Sequence, residues 1–290
     1  MDFKQITEIS SRQNPKAKQW LKLNSSQGVR KYQQIMVEGL RAAGTALMNQ
    51  AKVEAFLFMD SRSGELIFQK ILSGLIDVKN QAALDHFKRN SFRIEAELFQ
   101  SLAQVVNPQG VILIIAKPQL AKAQEWLAKL EAGGQERIGL KLAFLDQVRD
   151  PGNLGTIIRT ANAFAFSGLI LLEGTVDPYN PKIIRSSMGS LFDLDLIEVK
   201  DYKEVQGLAR SANLELISSD LDALALPDYR PTPAKKGFIL GVGNEAHGIS
   251  DEFNKMADTI VTIPMPGQTE SLNAAVAFAI MAYQINEFYQ

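Results

Sequence analysis

The sequence predicts an α/β protein, with a small α/β domain followed by a larger one built on a parallel sheet. Three observations carry that prediction. Short apolar runs alternate with stretches of helical periodicity along most of the chain, which is the pattern of strands interleaved with helices. At 290 residues the chain is long enough to bury two cores. Between Ala121 and Arg137 the character shifts to charges, glutamines and the Gly133-Gly134 pair after a predicted strand, as a linker does. The expected division is a first domain over 1–118, a linker over 119–138 and a second domain over 139–290.

The elements follow in order. A polar helix is expected over Lys16 to Asn24, a short strand over Ile35 to Val37, and a helix opening after Gly39. Strands over Val53 to Met59, Ser91 to Ile94 and Val111 to Ala116 come next, separated by helical stretches. Beyond the linker, apolar runs at Leu140 to Leu145, Gly168 to Leu172, Leu194 to Val199, Leu214 to Ser218, Phe238 to Val242 and Ile260 to Met265 alternate with helix candidates. Continuous apolar runs suit a parallel sheet covered on both faces. The last helix, Leu272 to Phe288, is apolar almost all round from Ala274 to Met281. Such a helix is buried in a core or against another subunit, and its periodicity does not separate the two.

Composition narrows the chemistry. Hydrophobic residues at 46% and charged residues at 22% describe an ordinary globular protein, neither disordered nor fibrous. The absence of cysteine excludes a disulfide framework, a thiolate metal site and a cysteine nucleophile. With His86 and His247 as its two histidines, the chain is not expected to hold a metal, so any cofactor is organic. The N-terminal Met1-Asp2-Phe3-Lys4-Gln5 lacks the apolar core of a signal peptide, and no run approaches the ~18 apolar residues that span a bilayer. A cytoplasmic protein with no membrane partner is expected. Net charge is −1, yet residues 1–50 carry eight Lys and Arg against three acids. That patch reads either as a solvated surface or as a nucleic-acid contact.

Ligands of open parallel sheets sit beyond the carboxyl ends of the strands, and three segments there stand out. The first runs from Asp146 through Pro151, Gly152 and Asn153 into a helix carrying Arg159-Thr160-Ala161. Pro151 and Gly152 read as the turn and Asn153 as the N-cap, and the segment is either a plain βα turn with a surface arginine or part of a site. The second, Gly241-Val242-Gly243-Asn244-Glu245-Ala246-His247-Gly248, lets a ligand approach the backbone closely. Its third glycine falls five residues after the second, so it is no dinucleotide fingerprint, and although Gly243 to Gly248 has the outer glycine spacing of a P-loop, Ile249 stands where the P-loop lysine is required. The third, Ile263-Pro264-Met265 through Ser271-Leu272-Asn273, sets polar groups at the mouth of the apolar helix, where Ser271 reads as a cap. Three such loops converging would form a pocket for a polar organic cofactor with a hydroxyl or phosphate ligand.

In order, Asn153-Leu154-Gly155 with Arg159-Thr160-Ala161, then Gly243-Asn244-Glu245-Ala246-His247-Gly248, then Ile263-Pro264-Met265 with Ser271-Leu272-Asn273 resemble the three motifs of the SpoU/TrmH branch of the SPOUT RNA 2′-O-ribose methyltransferases. The resemblance covers about 140–290. Asn14-Pro15-Lys16, Arg30-Lys31 and Val37-Glu38-Gly39-Leu40-Arg41 look like that family's ribosomal-protein-like substrate-binding domain. The resemblance implies a SPOUT α/β domain with a deep trefoil knot, an exception to the rule against threaded loops. It also implies S-adenosylmethionine held near Gly241, Gly243, Ile263, Met265, Leu272 and Ala275, and a homodimer whose active sites draw on both subunits. Arg159 would be the central catalytic residue, with Asn153, Glu245, Ser271 and Asn273 positioning ribose, arginine or cofactor. Asn14, Lys16, Lys18, Arg30, Lys31 and Arg41 would contact RNA. Large-subunit ribosomal RNA is the expected substrate. Transfer RNA and a non-catalytic knotted RNA binder are the alternatives, and methyl-transfer assays separate them. A dinucleotide-dependent oxidoreductase would need a glycine-rich turn after an early strand and an acid about 20 residues on, and neither is in register.

Overall fold

The computed structural model describes residues 2–77, 81–132, 139–269 and 271–289. The described elements are β1 (Thr7–Ile9), α1 (Pro15–Lys22), α2 (Ser26–Tyr32), β2 (Gln34–Glu38), α3 (Leu40–Met48), β3 (Val53–Met59), α4 (Arg62–Asp77), α5 (Gln81–Asn90), β4 (Ser91–Ile94), α6 (Ala96–Leu102) and β5 (Val111–Ala116). They continue with β6 (Ala121–Lys122), α7 (Ala123–Ala132), β7 (Leu140–Leu145), α8 (Pro151–Ala163), β8 (Gly168–Leu172), α9 (Pro181–Ser186), β9 (Asp195–Val199), α10 (Tyr202–Ala212), β10 (Glu215–Ala225), β11 (Gly237–Val242), α11 (Asp251–Met256), β12 (Thr259–Thr262) and α12 (Ala274–Asn286). The chain forms two compact units, 1–118 with 179–192 and 119–178 with 193–290. Segment 179–192, which the sequence alone groups with 139–290, packs in the first unit because Ile183 and Ile184 of α9 are buried there beside β2.

The first unit holds a five-stranded sheet in the order β1-β4-β3-β5-β2, with β5 antiparallel to both of its neighbours. Alternation along β3 divides its side chains between the two faces. Ala55 and Leu57 join Trp20, Phe92, Leu98 and Ile114 in one core. Phe56 and Phe58 meet the rings of Phe68 and Phe87 on the other. Ser25 caps α2 by accepting from the Gly28 amide. That helix lies outside the expectations, although its serine cap was the available signal.

In the second unit all seven strands are parallel, in the order β12-β10-β11-β7-β8-β9-β6. Every residue of β7 is buried, as a central strand covered on both faces requires. Phe144 stacks on Phe253 of α11 at 4.7 Å, within a core completed by Trp126 of α7 and Val205 and Leu208 of α10. On the opposite face Phe166, Phe238 and Phe278 of α12 meet edge to face. Residues 121–132, expected as linker, form β6 and α7, because Ala123 and Trp126 face the sheet and bury there. Residues 133–138 of that expected linker, with the Gly133-Gly134 pair, lie outside the described residues. Strand β12 ends at Thr262, short of the expected Met265. Pro264 follows and offers no N–H to a ladder.

The order of the strands matters for function. From β7 the chain steps outward to β8 and β9, and later returns to lay β11 on the other side of β7. The carboxyl ends of β7 and β11 therefore flank a topological switch point, where open parallel sheets bind ligands.

Candidate active site

Helix α8 leaves β7 through a tight turn. Asp150 is its N-cap, accepting from the Asn153 amide at 2.9 Å, and Pro151 takes the first helical position, where its missing N–H costs nothing. This corrects the reading of Asn153 as the cap and of Pro151-Gly152 as the turn. A third residue into the helix, Asn153 is freed from capping and turns its side chain inward. Its Nδ2 donates to Glu245 Oε1 at 2.9 Å and its Oδ1 accepts from Asn273 Nδ2 at 2.8 Å. Asn273, not Ser271, caps α12, with Oδ1 accepting from the amides of Ala275 and Val276 at 3.0 and 3.3 Å. That double acceptance fixes which end of the Asn273 amide donates, and hence the orientation of Asn153 as well.

Glu245 ties the loop after β11 to the loop after β7. Besides Asn153, its carboxylate accepts from the amides of Asp150 at 3.0 Å and Arg149 at 3.2 Å. Burial acts to raise its pKa, but the Asn153 amide and these backbone donors outweigh it and hold the carboxyl below the ordinary value. The loop itself closes through paired backbone hydrogen bonds between Asn244 and Gly248, both 2.8 Å. Asn244 Nδ2 also donates to the Gln147 carbonyl at 2.9 Å. Buried Asp146, at the end of β7, accepts from the Ser250 amide at 2.8 Å and the Tyr202 hydroxyl at 2.9 Å. Burial pushes the Tyr202 phenol up, so it stays a donor.

Beside this network lies a cavity of about 660 Å³. Val242, Ile263, Met265, Leu272 and Met281 form its apolar wall, and Asp220, Glu245 and Asp251 bring carboxylates. Of the residues expected to act, Glu245, Ser271, Asn273, Gly243, Ile263, Met265 and Leu272 line the cavity, and Asn153 joins through hydrogen bonds. Gly241 and Ala275 sit behind it. A Cβ on Gly241 would meet Ile249 Cδ1 at 2.4 Å and Phe253 Cε1 of α11 at 2.6 Å, so that glycine admits Ile249 and α11 to the sheet. Ala275 is buried, its amide held by the Asn273 cap.

Arg159 stands apart from these residues. It is exposed on α8, in one stripe with Thr156 and Ala163, and has no hydrogen-bond or ion-pair partner among the described residues. Six positions after Asn153, it points to a different side of the helix. In the first unit Asn14 caps α1 through the Lys16 amide at 2.9 Å. Lys16 lies 5.1 Å over the Phe92 ring and Lys31 5.5 Å over Tyr32. Lys18, Arg30 and Arg41 are exposed. Asp146, Asp220, Asn254 and Tyr202 are site residues the sequence reading did not single out. Asp146 directly follows β7 and Tyr202 opens α10 just past β9, whereas Asp220 lies within β10 and Asn254 within α11, so no shared local signal marks them.

A strand-end cavity with a preassembled amide–carboxylate network at a switch point defines an α/β enzyme that binds an organic cofactor. Residues 141–283 match the SpoU rRNA Methylase family, and residues 14–113 match the MRM3-like substrate binding domain. The chain belongs to the SpoU methylase family. It is 28% identical over 280 residues to the Bacillus subtilis 23S rRNA (guanosine(2553)-2′-O)-methyltransferase RlmP, covering 97% of this chain and 99% of that one. It is 34% identical over 171 residues to a Streptomyces viridochromogenes 23S rRNA (uridine(2479)-2′-O)-methyltransferase, covering 54% and 58%. The AdoMet-bound rRNA methyltransferase from Sinorhizobium meliloti superposes with a TM-score of 0.80 at 25% identity over 99% of both chains. Among the described residues no helix is long and apolar enough to cross a membrane.

Proposed function

We propose that the protein transfers a methyl group from S-adenosylmethionine to a ribose 2′-hydroxyl of large-subunit ribosomal RNA, in the cytoplasm. The observation that carries this reading is the Asn153–Glu245–Asn273 network joined to the strand-end cavity. The similarity to RlmP over nearly the whole of both chains supports the RNA class. The cavity suits the cofactor, since its carboxylates match the ammonium and sulfonium cations and its apolar wall matches an adenine. Gly243, Ile263, Met265 and Leu272 would hold it, and when bound it supplies an electrophilic methyl carbon.

The chain's own residues align the acceptor and manage its charge. Asn153, fixed at both ends of its amide, holds the loops after β7 and β11 in register. Glu245 positions rather than deprotonates. Its lowered pKa and three donors make it a weak base. Arg159 binds the phosphate beside the target ribose and stabilises the developing 2′-oxyanion while the hydroxyl proton passes to solvent water. It does so as a cation, since losing a proton at a pKa above ~12 is too costly.

The partner subunit of a homodimer brings Arg159 to the cavity. Val276, Ile280 and Tyr283 recur at helical spacing on α12 and remain 46%, 39% and 58% exposed. The Tyr283 ring meets Phe164, which follows α8, at 6.0 Å. This apolar stripe, beside an Arg159 that has no partner among the described residues, is what a self-complementary interface needs. The knot expected of this family belongs to the same reading. The test is tritium transfer from labelled S-adenosylmethionine to total cellular RNA, with the product mapped to base or ribose. Ribose label that disappears in Arg159→Ala and stays low in Arg159→Lys is expected, and near-normal turnover by Arg159→Lys would remove the assigned role.

A further inference from the structure

The first unit carries a second cavity, of about 300 Å³, formed by residues of that unit alone. The end of β2, the start of α3, the loop after α6 and one side of α9 surround it. Its walls are apolar, from Met36, Val105, Ile184 and Met188. Glu38 enters from β2. Its Oε2 accepts from the Gln104 amide at 2.9 Å, whereas its Oε1 is buried and has no hydrogen-bond partner among the described residues. Burial raises the Glu38 pKa, opposed by the Gln104 amide and the charge of Arg185.

An acceptor shut away from water without a donor is costly, and native proteins rarely leave one unexplained. The Gln104 side chain does not serve it: its carbonyl accepts from Arg185 and its Nε2 is held by Asn24, leaving Glu38 Oε1 without a donor among the described residues. Arg41, at the cavity margin, is exposed and has no partner among the described residues. A flat apolar body with an N–H donor on its edge and an anion beside it would satisfy walls, acceptor and arginines together. A free phosphate would not, because it would meet the Glu38 carboxylate.

We propose that this cavity takes one unstacked, amino-bearing nucleobase of the RNA substrate, its exocyclic amino group donating to Glu38 Oε1 and its neighbouring phosphates resting on Arg41 and Arg185. Single-stranded bases read on their edges are the usual means of RNA recognition. Uracil is rejected, since it presents a carbonyl where cytosine presents an amino group. The proposal rests on the RNA-methyltransferase reading and adds a base-reading site remote in sequence from the transfer motifs.

The test uses the full chain and short single-stranded RNAs of cytidine or of uridine, with binding followed by fluorescence anisotropy. Cytidine RNA should bind about tenfold more tightly, near the low end of what an edge contact contributes to base discrimination. Glu38→Gln keeps an acceptor for Gln104 but offers the cavity an amide donor, so the preference should vanish or reverse towards uridine. Val105→Trp plugs the cavity from a loop that is already partly exposed, and should abolish the preference without a fall in melting temperature. Arg41→Gln should weaken both RNAs alike. Equal binding of the two RNAs by the unmodified protein, or an unchanged preference in Glu38→Gln, overturns the proposal. Transfer to cellular RNA with no base preference defeats this site and leaves the methyltransferase standing. A Glu38-dependent preference without transfer does the reverse.

Discussion

Replacing Gly243 by alanine probes the cofactor loop directly. A Cβ there would lie 2.1 Å from both the Gly248 carbonyl carbon and the Ile249 nitrogen. These are backbone atoms, so no rotamer change relieves the overlap and the loop itself must open. Opening breaks the two 2.8 Å backbone bonds between Asn244 and Gly248, and strains the Asn244 side-chain bonds to the Gln147 carbonyl and Ala246 amide, both 2.9 Å. At about 1 kcal/mol net per hydrogen bond, reclosing the loop around a ligand costs about 2–4 kcal/mol. S-adenosylmethionine affinity should then fall about 30- to 700-fold, at 1.4 kcal/mol per tenfold. Isothermal titration calorimetry measures this, with thermal melting as the control for the rest of the second unit. Gly248→Ala is the graded comparison. Nothing crowds a Cβ there, but φ is +71°, so the cost is the roughly 1–2 kcal/mol of left-handed backbone for an L-residue. Gly243→Ala protein that bound the cofactor within about threefold of normal would refute the close-approach reasoning.

Glu245→Gln should reduce transfer strongly and destabilise the second unit modestly at neutral pH. Because the folded pKa lies below the ordinary 4.5, the carboxylate's stabilisation is present above that value and lost as pH falls through the folded pKa. The difference between Glu245→Gln and the unmodified protein should therefore close below pH 4.5 in acid titrations, and a gap that held constant to the lowest pH would contradict the assignment. Ile280→Asp with Tyr283→Asp should convert a dimer to monomer in analytical ultracentrifugation and abolish transfer while cofactor binding survives, whereas unchanged mass would reject the α12 interface. Tyr289→Phe tests a buried network at the start of β10, where fully buried Glu215 accepts from the Thr232 amide and hydroxyl, Thr259, Tyr229 and Tyr289. It should cost about 1 kcal/mol in denaturant melts at neutral pH. Burial pushes the Tyr289 phenol up to about 12, so the native protein loses stability as pH rises from about 10, where unfolded tyrosine ionises. The variant's alkaline slope should be shallower, and an identical slope would discount Tyr289 as its source.

Much of this protein was legible from local pattern. Strands β3, β4, β5, β7 and β8 fall where the sequence places them, most plainly β5, β7 and β8, because a strand buried on both faces reads as a near-continuous apolar run. The three strand-end segments were recognisable for the same reason, since polar and glycine-rich residues interrupt an apolar alternation where the chain turns. Short helices such as α2 and α9 escaped because each is too brief to show a period. Their caps, Ser25 and Asn180, were the information available.

Assembly of the site depended on pairings that no local window contains. Asn153 and Glu245 are 92 residues apart, and Asn153 and Asn273 are 120 apart. They meet because β11 returns to the side of β7 that β8 leaves open. The same distinction separates capping from catalysis, since Asp150 takes the helix end and so releases Asn153 for the network. Whether a residue serves its own helix or a distant loop is decided by what the fold brings beside it. By itself the sequence determined the fold class, the parallel sheet and the loops that carry the chemistry, all consequences of side-chain periodicity. Tertiary structure alone decided that Arg159 faces outward, that α9 packs with the first unit, and that Glu38 turns an unpaired oxygen into a cavity. Those facts depend on strand order and on burial against residues far along the chain.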